Sequence, residues 1–102
     1  MKIVWTAPAV DDLRELHAYI ARDSDMYASG FVERIIVAAE RLVQHPKFGR
    51  VLPETSDEQI RELLFQKYRI VYRIESDSIA ILAVIHGARD LGDLNPAPWE
   101  VG

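Results

Sequence analysis

Apolar positions along this chain change their spacing near residue 58, which separates a helical half from a stranded half. Residues 2–5, Lys-Ile-Val-Trp, form a short β-rich run. Thr6 then supplies an N-cap, Pro8 falls in the first turn, and Asp11 and Asp12 lie near the positive end of the helix dipole. Val10, Leu13, Leu16 and Ile20 follow at helical spacing, which predicts a helix over about 7–23. Asp23-Ser24-Asp25 breaks it. A second helix is predicted to begin near Tyr27, with Phe31, Ile35, Ala38, Ala39 and Leu42 on one face. It must end before Pro46, whose ring pushes the preceding residue out of helical geometry. The stretch 46–58 carries turn residues throughout and reads as a loop. Beyond it the period becomes 2, and 59–65, 67–75 and 78–86 read as three strands, the last two joined by a tight Ser76-Asp77 turn.

The fold class predicted is α+β in the order β-α-α-β-β-β, with the helical hairpin packed on one face of an antiparallel sheet and the first strand at its edge. A single domain over 1–90 accommodates these elements. Residues 91–102, with Pro96, Pro98 and Trp99, are expected to form an irregular tail.

A turn at Ser76-Asp77 sets Glu75 opposite Ser78 and Arg69 opposite Val84. One face then presents Tyr68, Ile70, Tyr72, Ile74, Ile79, Ile81, Ala83 and Ile85, and this continuous apolar surface is expected to meet the helices. The other face presents Arg69, Val71, Arg73, Ala80, Leu82, Val84 and His86. Arg61 joins that face if the loop around Phe65-Gln66-Lys67 has three residues, and turns away from it with two. On an open sheet face, Leu63, Val71, Leu82 and Val84 would form an apolar patch of the kind that marks a protein interface.

Composition narrows the chemistry. The 102 residues contain no cysteine, which removes disulfides, thiol nucleophiles and cysteine-ligated zinc, and a reducing cytoplasm is the expected location. His17, His45 and His86 lack metal-ligand spacing, and no Gly-rich phosphate loop or nucleophile elbow occurs, so no metal or other cofactor is expected. No apolar run approaches the ~20 residues of a membrane span. The net charge of −4 argues against a protein that coats nucleic acid. Charge is nevertheless polarised: acidic residues gather in 11–25 and 54–62, and arginines in 61–73 with one more at 89. Arg61, Arg69 and His86 together suit a phosphate that must be held while a proton moves, because guanidinium forks donate bidentate hydrogen bonds and imidazole titrates near neutrality. The same set suits acidic side chains of a protein partner. In the plainer alternative, these arginines are sheet residues paired with Glu62 and Glu75.

Three runs carry a family likeness: Ile60-Arg61-Glu62-Leu63-Leu64, then Lys67-Tyr68-Arg69-Ile70-Val71-Tyr72-Arg73-Ile74, then Ile81-Leu82-Ala83-Val84-Ile85-His86-Gly87-Ala88-Arg89-Asp90. With Trp5-Thr6, Ala9, Pro46 and Gly49 ahead of them, they resemble the RelE/ParE toxin superfamily over residues 2–90. The resemblance implies a cytoplasmic toxin and a cognate antitoxin that covers it in a hetero-oligomer, with operator DNA reached only through the antitoxin. It implies one of two targets: DNA gyrase, bound without chemistry, as by ParE-like members, or messenger RNA cut in the ribosome, as by RelE-like members. For a nuclease, Arg61, Arg69 and His86 would be catalytic. For a binder, the contact set would be Arg61, Leu63, Arg69, Val71, Arg73, Leu82, Val84, His86 and Arg89. The chain lacks a lysine cluster before Arg61 and has Gly87-Ala88 where a tyrosine would follow the last strand, which favours the ParE-like reading. A non-toxic member that only binds its antitoxin is the third possibility.

Overall fold

A computed structural model describes residues 1–89 and 97–100. The strand β1 (Lys2–Trp5) leads into helix α1 (Ala7–Ala21), helix α2 (Asp25–Glu40) follows, and two short 3-10 turns, Arg41–Val43 and Pro46–Phe48, bring the chain to the sheet. Four more strands complete it: β2 (Arg50–Val51), β3 (Ile60–Phe65), β4 (Tyr68–Ile74) and β5 (Ser78–His86). Thr6 caps α1, its hydroxyl accepting from the Ala9 N–H at 3.4 Å while donating to the Ile81 carbonyl at 2.7 Å. One side chain therefore starts the helix and ties it to β5. Ser24 caps α2 through the Tyr27 N–H at 3.1 Å, so that helix begins two residues before the position its apolar face suggested.

The expected α+β class and element order hold, with two refinements. The sheet order is β1-β5-β4-β3-β2, and β1 runs parallel to β5, from Lys2 opposite Ser78 to Trp5 opposite Ile81, so the sheet is mixed rather than antiparallel. The added strand β2 pairs Arg50 with Glu62 and Val51 with Arg61 inside the stretch expected to be loop.

Leu16 of α1 and Phe31, Ile35 and Ala39 of α2 bury against Leu63, Ile70, Tyr72, Ile79, Ile81 and Val84 of the sheet. The second sheet face is apolar too: Ile60, Val71, Ala80, Leu82, Ala83 and Ile85 are buried there with Leu52, and Trp99 packs on them. The face left open in the sequence reading is thus covered. Val71 and Leu82, expected to be exposed patch residues, are 0% and 1% exposed.

Candidate functional site

Two local features decide where each candidate side chain points. The first is the β3–β4 link: Phe65 pairs with Tyr68, so the loop is the two residues Gln66 and Lys67, and Gln66 takes φ 53° to close it. With two loop residues Arg61 and Leu63 turn to the helix side, and Leu63 joins the helix-packed core. The second is a bulge in β5. Tyr72 pairs with Ile81 but Val71 pairs with Ala83, leaving Leu82 as the extra residue. Arg69 therefore faces Ile85, not Val84. Beyond the bulge every side chain changes face. Val84 packs under the helices, Ala83 and Ile85 move to the second face, and His86 stands beside Tyr68, their rings 5.5 Å apart.

The three nuclease candidates consequently do not converge. Arg61 donates through Nη1 to the Gly49 carbonyl at 3.0 Å and through Nε to the Glu58 carbonyl at 3.1 Å. It pins a turn to the sheet. Arg69 is 7% exposed and sits in an ion cluster on the second face. Its Nη1 and Nη2 donate to the two Glu54 carboxylate oxygens at 3.0 and 2.9 Å, and its Nε donates to Glu62. Glu62, 1% exposed, also accepts from Arg50. The Glu54 carboxylate, and after it Glu62, raise the Arg69 pKa above its ordinary value, so this guanidinium is charged at every accessible pH. Two arginines and two carboxylates leave the cluster neutral, which is how charges survive burial. Glu62 was foreseen as an arginine partner. Glu54 was not: it lies 15 residues from Arg69 in a segment with no periodic signal.

His86 is exposed, its Nδ1 accepting from the Ala88 N–H at 3.1 Å. A groove of about 540 Å³ at this end of the sheet is bordered by His86 and Arg69, with Arg50, Lys67, Tyr68 and Glu54, but not by Arg61. Arg73 lies on the second face, donating to the Trp99 carbonyl at 2.6 Å with the Glu75 carboxylate 3.9 Å away. Arg89 is exposed near Asp12, whose carboxylate accepts from the Val84 N–H at 2.9 Å. Burial raises the Asp12 pKa, outweighing that hydrogen bond, which lowers it. Among the described residues no group of acidic, histidine or cysteine side chains has the arrangement of a metal site, and no helix is long and apolar enough to cross a membrane.

Residues that the sequence reading passed over form a second construction. Tyr72, fully buried, donates its hydroxyl to the Pro46 carbonyl at 2.6 Å and accepts from the Gly49 N–H at 3.0 Å. Burial raises its pKa. The backbone at Gly49 passes so close to the Glu62 carbonyl that a Cβ there would have no room. The turn between, 46–49, carries Phe48 out into solvent, 68% exposed. The Pro46 and Gly49 punctuation was legible in sequence, but its purpose was not.

Comparison with known proteins places this architecture. Similar curated proteins include Toxin RelE2 of Caulobacter vibrioides, 32% identical over 89 residues that span 86% of this chain and 97% of the relative. Putative toxin Y4kP of Sinorhizobium fredii is 37% identical over 87 residues, 83% of this chain and 86% of that one. Among solved structures, the chromosomal ParDE TA system from P. aeruginosa superposes with a TM-score of 0.71 at 22% identity, covering 84% of this chain and 95% of that chain. The toxin-antitoxin complex RelBE2 from Mycobacterium tuberculosis gives 0.62 at 23% identity, covering 86% and 92%. These structural likenesses carry the fold: two helices on one face of a five-stranded mixed sheet. Residues 3–91 match the ParE toxin of type II toxin-antitoxin system, parDE, and the chain belongs to that family, within the RelE/ParE superfamily of toxins.

Proposed function

We propose that this toxin is held inactive in the cytoplasm by a cognate antitoxin and acts by gripping a protein target, with DNA gyrase the precedent among ParE-like members, rather than by cutting RNA. The observation that carries this reading is the state of Arg69. Both terminal nitrogens of its fork already hold Glu54, and its Nε holds Glu62. A scissile phosphate would have to displace two carboxylates from a buried guanidinium, at a cost of about 3–5 kcal/mol for breaking a buried pair. Arg61, spent on backbone carbonyls across the helix side, offers no substitute. The family match to ParE supports the same reading.

The ribosome-dependent nuclease remains the second reading because of His86 alone, an exposed imidazole beside Lys67 and Arg50 on one groove. Primer-extension mapping of cellular messages shortly after induction without antitoxin separates the two. Uncut messages with growth arrest, and DNA breaks dependent on gyrase, are expected. New cuts inside translated codons that disappear in His86→Ala would replace this reading with the nuclease. No growth effect at all would leave a member that only binds its antitoxin.

A further inference from the structure

The turn bearing Phe48 is built at some expense. A phenylalanine ring 68% exposed to water forgoes most of the stabilisation that burial would give it. The backbone that carries it is also fixed rather than left to swing. Tyr72 of the central strand β4 binds both Pro46 and Gly49, Arg61 binds the Gly49 carbonyl, and the Phe48 N–H donates to the His45 carbonyl at 3.0 Å. Gly49 allows the approach because any side chain would collide with β3. The backbone entropy of this projection is already lost in folding, which lowers the ordering cost of binding through the ring it carries. Val37 and Leu64, 48% and 60% exposed, share with Phe48 a hollow of about 480 Å³ between α2 and β3. The hollows around the ring hold three cations, Arg34, Arg41 and Lys47, against one carboxylate, Glu33. On a chain of net charge −4 this is a locally positive collar.

We propose that Phe48 is the anchor by which the chain engages a folded protein offering an apolar cleft rimmed by carboxylates, and that this partner is the toxin's target rather than its antitoxin. The inference rests on the protein-binding reading above. A rigid convex knob requires a cleft that already exists, which a folded protein has. An antitoxin segment that orders on binding instead lays its own side chains into the grooves of its partner. Single-stranded nucleic acid could also stack on a phenylalanine, but it needs a cationic track, and an acidic chain with one small collar supplies none.

Phe48→Ser and Lys47→Glu in the full chain test this, because both positions are exposed and neither change disturbs the core. Three measurements are made on each variant and on wild type: growth after induction without antitoxin, co-purification with the antitoxin, and thermal melting. Loss of growth arrest by both variants, with the antitoxin complex and the melting temperature unchanged, is expected. Phe48→Ser that arrests growth like wild type overturns the proposal while the target reading stands. Phe48→Ser that loses the antitoxin complex assigns the knob to the antitoxin and overturns it too. A gel shift of a single-stranded RNA oligonucleotide that Phe48→Ser abolishes would give the surface to nucleic acid instead. A wild-type chain that arrests nothing removes the target reading itself, and the proposal with it.

Discussion

Replacing Gly49 with alanine tests the claim that the 46–49 turn is fastened to the sheet by close approach. The φ of Gly49 is −74°, a value alanine adopts freely, so the backbone conformation raises no objection. On conformational grounds alone the change should stabilise the protein by about 0.4–1 kcal/mol through the unfolded chain. Space dictates the opposite. The new Cβ would press on the Glu62 carbonyl oxygen, lie 2.9 Å from its carbon and 2.7 Å from the Tyr72 hydroxyl. Both the β3 backbone and the buried tyrosine are fixed, so the turn must lift. Lifting strains or breaks the Tyr72–Pro46, Gly49–Tyr72 and Arg61–Gly49 hydrogen bonds, each worth about 0.5–1.5 kcal/mol, on top of about 1–3 kcal/mol of overpacking. The net expectation is a loss of about 2–4 kcal/mol. Urea unfolding followed by circular dichroism should show a lower midpoint with the m-value unchanged, and the Tm should fall by about 10–20 °C. A loss below ~1 kcal/mol, or any gain, would mean that the turn is loosely held and that the rigidity argued for Phe48 is absent.

Other expectations follow from the same geometry. Asp12 has a raised pKa because burial disfavours its charge, so its contribution to stability is full below its unfolded value and is lost as pH rises through the higher folded one. Asp12→Asn keeps an acceptor for the Val84 N–H without the charge; it should match or exceed wild-type stability at pH 7 and flatten the acid limb of the melting profile. Asp12→Ala, which strands that N–H, should cost about 1–3 kcal/mol, and an Asn variant as damaged as the Ala variant would refute the account. Gln66 at φ 53° is a non-glycine residue in the left-handed region, so Gln66→Gly should stabilise the β3–β4 hairpin by up to about 1 kcal/mol in urea melts. A destabilised variant would count against that turn geometry. Glu62→Gln leaves the Arg69 and Arg50 donors facing an amide and should cost about 3 kcal/mol. Glu62→Leu with Arg69→Leu should cost less than the two single changes summed, whereas strict additivity would dissolve the claimed cluster.

Much of the fold was legible in the order of residues, for reasons local to each element. Thr6 and Ser24 cap helices because their hydroxyls reach N–H groups three residues on, and the apolar spacing of 31, 35 and 39 defines a buried helix face without reference to anything distant. Alternation over the last three strands located them to within a residue or two. That β1 runs parallel to β5, four residues against the start of a nine-residue strand, has no such signature, because pairing partners leave no local trace.

The site was decided elsewhere, by two single-residue events. Sheet side chains alternate with period 2, so one extra residue reverses every position after it. A two-residue rather than three-residue link at Gln66-Lys67 sends Arg61 and Leu63 to the helix side, and the bulge at Leu82 sends His86 and Val84 there with them. Composition is blind to both, since the same residues are present in either register. The second partner of Arg69 was equally hidden: Glu54 meets it only because β2 and the loop after it fold back across β3 and β4. The sequence by itself determined that this chain would build a two-layer α+β toxin fold and would place arginines on its sheet. Only the packed structure determined that one of those arginines fastens a turn and another is neutralised by carboxylates, because direction and distance between residues remote in sequence are set when the sheet closes.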